Sequence, residues 1–486
     1  MTKNKQLLFH FKDYTFYKKL EAVIEGKLVP IEQGSPEFQA FEIAVNEKIK
    51  PSKLTANLTE TGYNDGDKLK FIDFDPIAST SMFETKGLVG VVQVKDIPVK
   101  VEEDESILFD VKIMVTSRFD EEKPYFLSYM LSYENPNFSD DYQTESNKES
   151  LFTILLLYLF KKQLQEAFKQ GMFKTYQRQE LNNDRLKGTI DIGRHIKENM
   201  IFNGKVAYST KEHTVDNTIN NLILHTYHHL KQSFPNESFW HMDSDNKIRT
   251  IIKKLKEAVP SFYTSNISKV MVRSLTPLSH PFYSKYEALR KTCIKIMRNL
   301  GVSVFDGTEE LVSGLLFYIP DLWEKFLLHS YKKYSSDEQF VVHISNKIRI
   351  FKESGDNSFR KEIRPDFVFR RNDRSPFFIL DAKFKPKWYE VAENRGSLSS
   401  VYDDYLQVIN YMISFNTVAA GVIFPTNQGL LSKHAFDLSP YNTRNRFYCF
   451  ALYVPKVEDT FSKWKRNFEL NVRYTFSEIF EMLGKL

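Results

Sequence analysis

Cysteine is nearly absent from these 486 residues: Cys293 and Cys449 are the only two. A disulfide framework and a cysteine-rich zinc site are therefore excluded, and a reducing, cytoplasmic setting is the expected one. Long apolar runs are also lacking. The longest, LFTILLLYLF at 151–160, is too short to span a bilayer and runs straight into Lys161-Lys162. The N-terminus carries lysines but no sustained apolar stretch and no small-residue cleavage pattern, so no secretion signal and no membrane partner are expected. No 20–50-residue period recurs, and no low-complexity segment interrupts the chain.

What is present is globular. A hydrophobic content of 42% with 27% charged residues rules out wholesale disorder, and 486 residues at ~150 per domain suggest about three domains. Aromatic residues reach 14%, so many core or contact positions are rings. The net charge of +5 hides an asymmetry: residues 1–150 hold 18 Lys and Arg against 27 Asp and Glu, a net of −9, whereas residues 151–300 hold 24 against 12, a net of +12. An acidic first third is repelled by nucleic-acid phosphates and the basic middle third is attracted to them; alternatively, such blocks only aid solubility.

The coarse organisation is a multidomain α+β chain. Residues 1–148 read as β-rich, with runs such as LVGVVQV (88–94) and ILFDVKIMV (107–115) separated by turn chemistry at Asn64-Asp65-Gly66, Asp75-Pro76 and Glu121-Glu122-Lys123-Pro124. The polar stretch 134–150 reads as a linker. Residues 149–304 read as mainly helical and basic, with helices from Ser150 to a cap at Gly171, then over 215–233, 246–258 and 284–300. Residues 305–486 read as an α/β domain on a central mixed sheet. There a helix over about 310–332 is followed by the run 339–352, strands at 364–371 and 376–384, a helix at about 400–415, and strands at 419–425 and 446–455.

Chemistry concentrates in that last segment. Pro365-Asp366 is followed, fifteen positions after the Asp, by Asp381-Ala382-Lys383 at the end of the apolar run FFIL. Side chains alternate along a strand, so Asp381 and Lys383 share one side, and Asp366 on the neighbouring strand brings a second carboxylate alongside. Such carboxylates repel unless a divalent cation lies between them, and Mg²⁺ favours oxygen ligands while keeping several waters. Lys383 beside the cation would orient, or help to deprotonate, an attacking water, which completes the parts for phosphodiester hydrolysis. The plain alternative is a structural salt bridge of Asp381. Gln407 and Tyr411, four apart, share a helix face, and Glu324 in DLWEK could bring a third carboxylate.

In this order Glu, PD, DxK and QxxxY resemble the PD-(D/E)XK nuclease superfamily in its RecB-like form. The segments IRPDFVF, FFILDAKFKPKW, YDDYLQVINYM and GVIFP between 363 and 425 are most similar to McrC, the nuclease subunit of McrBC-type restriction systems. LKGTIDIGRHI (186–196) and EHTVDNTINNLILHTYHHL (212–230) extend the resemblance over roughly residues 150–430. It implies Asp366, Asp381 and Glu324 as Mg²⁺ ligands (Mn²⁺ as a substitute), Lys383 as the catalytic lysine, and Gln407 and Tyr411 as residues shaping the site. It further implies an antiviral DNA endonuclease acting on double-stranded DNA with a McrB-like AAA+ GTPase ring, the acidic N-terminal domain engaging that partner. No G-x-x-x-x-G-K-[ST] occurs in the chain, in keeping with nucleotide hydrolysis supplied elsewhere. A non-catalytic adaptor of an AAA+ motor and a stand-alone RecB-like repair nuclease are the alternatives.

Other features carry two readings each. Arg364, Lys385 and Lys387 flank the acidic pairs and are candidate DNA contacts, with Trp388 either a stacking ring or a core residue. Arg185 and Lys187, before Gly188, form either a basic turn touching DNA or a plain turn. His225, His228 and His229 have zinc-like spacing but lack the accompanying Glu, so a solvated helix face is preferred. The LLLYLF run reads as a buried helix, and VEEDE at 101–105 as a solvated loop or strand edge.

Overall fold

The computed structural model describes residues 4–54, 70–74, 81–102, 105–121, 123–132, 149–201, 203–233, 246–278, 280–299, 312–335, 341–343, 348–352, 359–371, 373–393, 401–429, 434–439, 442–456 and 458–485. They form two compact units, one of residues 1–152 with 311–486 and one of residues 153–310. The turns expected at 64–66 and 75–76, and the linker positions 134–148, lie outside the described residues.

The first unit holds two six-stranded sheets. One runs in the order Val312–Tyr318, Leu88–Glu102, Glu105–Thr116, Lys5–Lys12, Leu20–Ile24, Lys27–Ile31. Leu7, Phe9 and Phe11 are buried at alternate positions of Lys5–Lys12, the period of a sheet covered on one face. The helix Pro36–Ile43 lies over it. The Ser35 hydroxyl accepts from the Phe38 N–H at 3.2 Å as its N-cap, and Phe41 meets Phe9 with ring centroids 4.6 Å apart.

The single helix expected around 310–332 is instead a strand followed by a helix. Val312–Tyr318 pairs antiparallel with Leu88–Glu102, and only then does the helix Ile319–Tyr334 begin, with Pro320 in its first turn. Gly314 explains the difference: a Cβ there would stand 2.5 Å from the Val91 carbonyl oxygen, so this strand can approach its neighbour only as glycine. Spacing of apolar residues alone does not register such a backbone contact.

The second sheet runs in the order Val341–His343, Phe367–Arg370, Pro376–Ala382, Ala419–Thr426, Asn442–Tyr453, His434–Ser439. Pro376–Ala382 is antiparallel to Phe367–Arg370 and parallel to Ala419–Thr426, so the sheet is mixed. Ala419–Thr426 is buried along its whole length, which explains its unbroken apolar sequence. The helices Lys387–Ala392 and Tyr402–Ser414 cover one face: Trp388, Val408, Tyr411 and Met412 join one buried cluster with Ile379, Val422 and Phe424. The terminal helix Phe461–Leu483, which periodicity did not single out, packs Phe468 at 5.7 Å from Phe326 and 5.8 Å from Phe126.

N-terminal residues reach directly into this second half. The Arg118 guanidinium pairs with the buried Asp13 at 2.8 Å, donates to the Phe384 carbonyl, and lies 4.5 Å from the centroids of both the Phe119 and Phe384 rings. Two residues on, Asp120 caps the helix Tyr125–Ser132 by accepting from the N–H groups of Phe126 (2.7 Å) and Leu127 (3.3 Å).

The second unit contains the expected helices, observed as Glu149–Lys169 running in from its edge, Thr218–Ser233, Asn246–Ala258 and Ser284–Asn299. Leu157, Tyr158, Leu159 and Phe160 are buried, as the core reading of that run requires. It is less purely helical than expected. A three-stranded antiparallel sheet sets Val206–Thr214 between Thr189–Ile190 and Thr175–Asn183. Its long strands, TYQRQELNN and VAYSTKEHT, are polar along most of their length, with buried Ala207 and Tyr208 adjacent rather than alternating, so they carry no apolar alternation to reveal them.

Burial pushes the Asp120 carboxyl up to about 7, against the two N–H groups that favour its charge. A carboxyl whose value is raised on folding adds stability at low pH that is lost as pH climbs through the folded-state value. Asp120→Asn keeps the capping oxygen and should flatten the decline in unfolding free energy between about pH 4 and 7. The difference between wild type and variant, followed by urea titration at several pH values, should grow to as much as about 4 kcal/mol. Parallel pH profiles would contradict this assignment.

Candidate active site

The strand pairing ends at Phe367 and Leu380, and Asp366 and Asp381 are the residues just beyond that last pair on the two segments, near enough for the Asp381 charge to raise Asp366. Like charges directly across a strand pair repel, and here they do so in a largely buried place. The Ala382 N–H donates to Asp366 Oδ2 at 2.7 Å and so locks the two strand ends together. Burial, then Asp381, then Glu324 push the Asp366 carboxyl well above its ordinary range. Glu324, on the helix Ile319–Tyr334, is likewise raised, by burial first; Arg364 opposes that rise and Asp321 and Asp381 add to it. Its partner is Arg364, at 3.6 Å. The three acids expected to act together therefore do feel one another, from three separate stretches of chain.

Lys383 faces this negative charge. Its ammonium is 2.7 Å from Asp381 Oδ2 and 3.8 Å from Asp404 Oδ1, and it donates to Gln407 Oε1 at 2.8 Å. Burial works against its charge, but Asp381, Asp404 and Asp366 together outweigh burial and hold Lys383 above the ordinary lysine range. Gln407 Nε2 in turn donates to the Tyr411 hydroxyl at 2.8 Å, and that hydroxyl donates to the Arg364 carbonyl at 3.2 Å. One polar chain thus runs from Lys383 through both expected helix residues to the residue preceding Pro365. The phenol of Tyr411 is raised by burial and then by Asp381 and Asp366.

Asp404 is the member that sequence reasoning missed. It is buried, accepts from Lys385 at 3.0 Å and from the Trp388 indole at 3.3 Å, and stands within reach of Lys383. Its signal was its position, three residues before Gln407 on the same helix face. Trp388 is fully buried and stacks on Phe447, so it is a core ring. Lys387 sits over the Phe16 ring at 5.2 Å, while Lys385 remains partly exposed beside Asp404. Arg185 and Lys187 are exposed and belong to the second unit. His225 bonds Ser265 at 2.8 Å and packs on Phe262, as a structural histidine does.

As to a cation, Asp366, Asp381 and Glu324 fit one by the chemistry of their oxygen donors and by the burial, added to by the Asp381 charge, that raises Asp366 and Glu324. Among the described residues, however, no three His, Cys, Asp or Glu side chains already stand close enough together to enclose a metal. The ammonium of Lys383 is the positive group that meets Asp381 directly. No described helix is long and apolar enough to cross a membrane.

Replacing Asp366 by Asn removes one of the opposed charges and keeps an oxygen for the Ala382 N–H. In the absence of divalent cations the variant should unfold a few degrees above wild type at pH 8. Because the Asp366 value is raised on folding, this advantage should shrink as pH falls toward the ordinary carboxylate range. Calorimetry in EDTA checks it; equal or lower stability of the variant at pH 8 would mean that the carboxylates do not oppose one another.

The family model described as McrBC 5-methylcytosine restriction system component matches residues 83–425. No relative matches among curated proteins. Among solved structures, the chain is similar to one in a half-complex from the tetradecameric assembly of Thermococcus gammatolerans McrB AAA+ hexamers with bound McrC. That match has 14% identity and a TM-score of 0.47, and covers 97% of this chain and 100% of that one. It is also similar to a chain of the Thermococcus gammatolerans McrBC complex, at 12% identity with a TM-score of 0.29, covering 68% of this chain and 88% of that one.

Proposed function

The chain belongs to the family of McrBC 5-methylcytosine restriction system components, and we propose that within it this chain is the McrC-like DNA endonuclease subunit, with a PD-(D/E)XK site at Asp366, Asp381 and Lys383. The observation that carries this reading is the cross-strand pair Asp366 and Asp381, with Glu324 raised beside them and Lys383 held as an ammonium against their charge. A purely structural ion pair would need one acid per base, whereas here the acids are in excess.

Asp366, Asp381 and Glu324 are the residues that would hold a Mg²⁺ ion, with Mn²⁺ as a substitute. When bound, the ion supplies neutralisation of the charge that develops on the phosphoryl group. Lys383, kept protonated by Asp381 and Asp404, offers its N–H groups to a phosphate oxygen or to the attacking water. The water oxygen bonds to phosphorus and gives up its proton to surrounding water as the bond to the leaving oxygen breaks and that oxygen takes a proton from water in turn; charge gathering on the phosphate is met by the fixed ammonium. Gln407 and Tyr411 fix the direction of that ammonium through their bonded chain to the Arg364 carbonyl. Lys385 and Arg364, at the mouth of the same strands, are the candidate contacts to the DNA backbone, and Lys387 flanks them. The partner proposed for the whole chain is a McrB-like AAA+ GTPase ring, which supplies the nucleotide hydrolysis that no P-loop in this sequence provides.

One observation favours a second reading, a non-catalytic activator of such a ring: no acidic trio among the described residues is drawn together around a cation-sized space. Metal titration separates the two, since an activator shows no nicking with Mg²⁺ or Mn²⁺ at any concentration. With its ring and GTP present, the Asp381→Ala chain should lose DNA cleavage by at least a hundredfold while still stimulating GTP hydrolysis. Cleavage at the wild-type rate by that variant would remove Asp381 from the site.

A further inference from the structure

The three-stranded sheet of the second unit has a face that the site described above does not use. Val206–Thr214 and Thr175–Asn183 pair so that Tyr176 lies opposite His213 and Arg178 opposite Lys211. All four side chains are exposed, Tyr176 by 71%. The two rings stack, with centroids 4.8 Å apart and planes 27° from parallel. Arg178 and Lys211 have no ion-pair partner among the described residues, although like charges placed across a strand pair oppose folding. On the far side of Val206–Thr214, Thr189 pairs with Ser209, and the Thr210 hydroxyl donates to the Lys187 carbonyl at 3.4 Å. That bond holds the backbone of the exposed Lys187 against the residue next to Lys211.

This face therefore sets a bare ring stack next to a row of cations, at alternate positions on one side of a sheet. A row of cations kept together at a cost to folding suits a polyanion with regularly spaced charges. The neighbouring stack suits a flat partner with an exposed π-face. A single strand of DNA has both, phosphates for the cations and unpaired bases for the rings, whereas a duplex hides its base faces. Glu180, on the same face beyond Arg178, is drawn toward Arg194 at 3.4 Å, within the sheet's own polar contacts. The surrounding segment, residues 151–300, carries the chain's excess of positive charge.

We propose that the face formed by Tyr176, Arg178, Lys211 and His213 is a binding surface for single-stranded DNA, with a base stacked on Tyr176 and the adjoining phosphates at Arg178 and Lys211. This deepens the nuclease reading but does not use its residues, so the two can fail separately.

The test uses the full chain carrying Asp381→Ala, in EDTA, with a fluorescent oligothymidylate as probe and anisotropy as readout across a range of salt. Arg178→Ala with Lys211→Ala should weaken binding at least tenfold and lower the dependence of log Kd on log salt by about 1.4, two phosphate contacts on single strands. Tyr176→Ala should weaken binding ~5–100-fold with the salt dependence unchanged, and Tyr176→Phe should restore it. The double alanine variant relieves a like-charge pair and should melt no lower than its parent, so lost binding is not lost folding. Wild-type affinity and salt dependence in the double variant would overturn the proposal, as would a preference for duplex that is independent of Tyr176. If these variants lose single-strand binding but the wild-type chain, with its ring, GTP and Mg²⁺ or Mn²⁺, never cuts DNA, the surface stands and the nuclease reading falls.

Discussion

The excess of carboxylates around Lys383 is the constraint on which the rest of the first unit is organised. Asp366 and Asp381 stand opposite one another at the ends of antiparallel strands, and Glu324 adds its charge from a helix. Burial and the Asp381 charge make both Asp366 and Glu324 harder to ionise, so keeping the group together opposes folding. The surrounding structure holds them in place by backbone means: the Ala382 N–H on Asp366, the continuous pairing of Pro376–Ala382 with Ala419–Thr426, and the Gln407–Tyr411 chain to the Arg364 carbonyl. Lys383 brings positive charge to Asp381, and the acids hold its ammonium above the ordinary lysine range, while Arg364 stands by Glu324 and Lys385 by Asp404.

Support for that strand end comes from far away in sequence. Arg118, paired with Asp13, donates to the carbonyl of Phe384, the residue directly after Lys383, and lies over the rings of Phe119 and Phe384. Trp323 and Phe126 crowd the same ring, at 5.9 Å and 6.3 Å from Phe384. The acidic, β-rich beginning of the chain is thus continuous in packing with the segment that carries the DxK lysine, and Val312–Tyr318 enters its sheet as a sixth strand. Asp13 is fully buried at this junction, and the Arg118 side chain is mostly covered.

What was legible in the sequence was what depends on local pattern. Strands FFIL and AAGVIFP announce themselves by unbroken apolar character, and the helix Tyr402–Ser414 by the face shared by Gln407 and Tyr411. That Asp366, Asp381 and Lys383 come close together follows from alternation along a strand and a short turn, which fix their sides in advance. The helix expected over 310–332 was misread because the determinant was a close backbone approach at Gly314, a tertiary fact. The polar strands of the second unit left no hydrophobic trace, and their cross-strand pairs exist only once the register is known. Asp404 was overlooked for a related reason: an acid at the start of a helix has an ordinary explanation in the helix dipole, and only packing shows it buried against Lys385 and Trp388.

The central claim is that the acids opposed across the sheet share one divalent cation. Iron(II) substituted for magnesium generates hydroxyl radicals where it binds, and these cut the polypeptide within a few ångströms of the ion. Mass spectrometry of the intact chain after brief exposure to Fe²⁺, ascorbate and peroxide should find cuts clustered at residues near 324, 366 and 381, suppressed by excess Mg²⁺ and absent from Asp381→Ala. Cuts scattered elsewhere, or a pattern that neither Mg²⁺ nor the substitution alters, would show that no cation binds there.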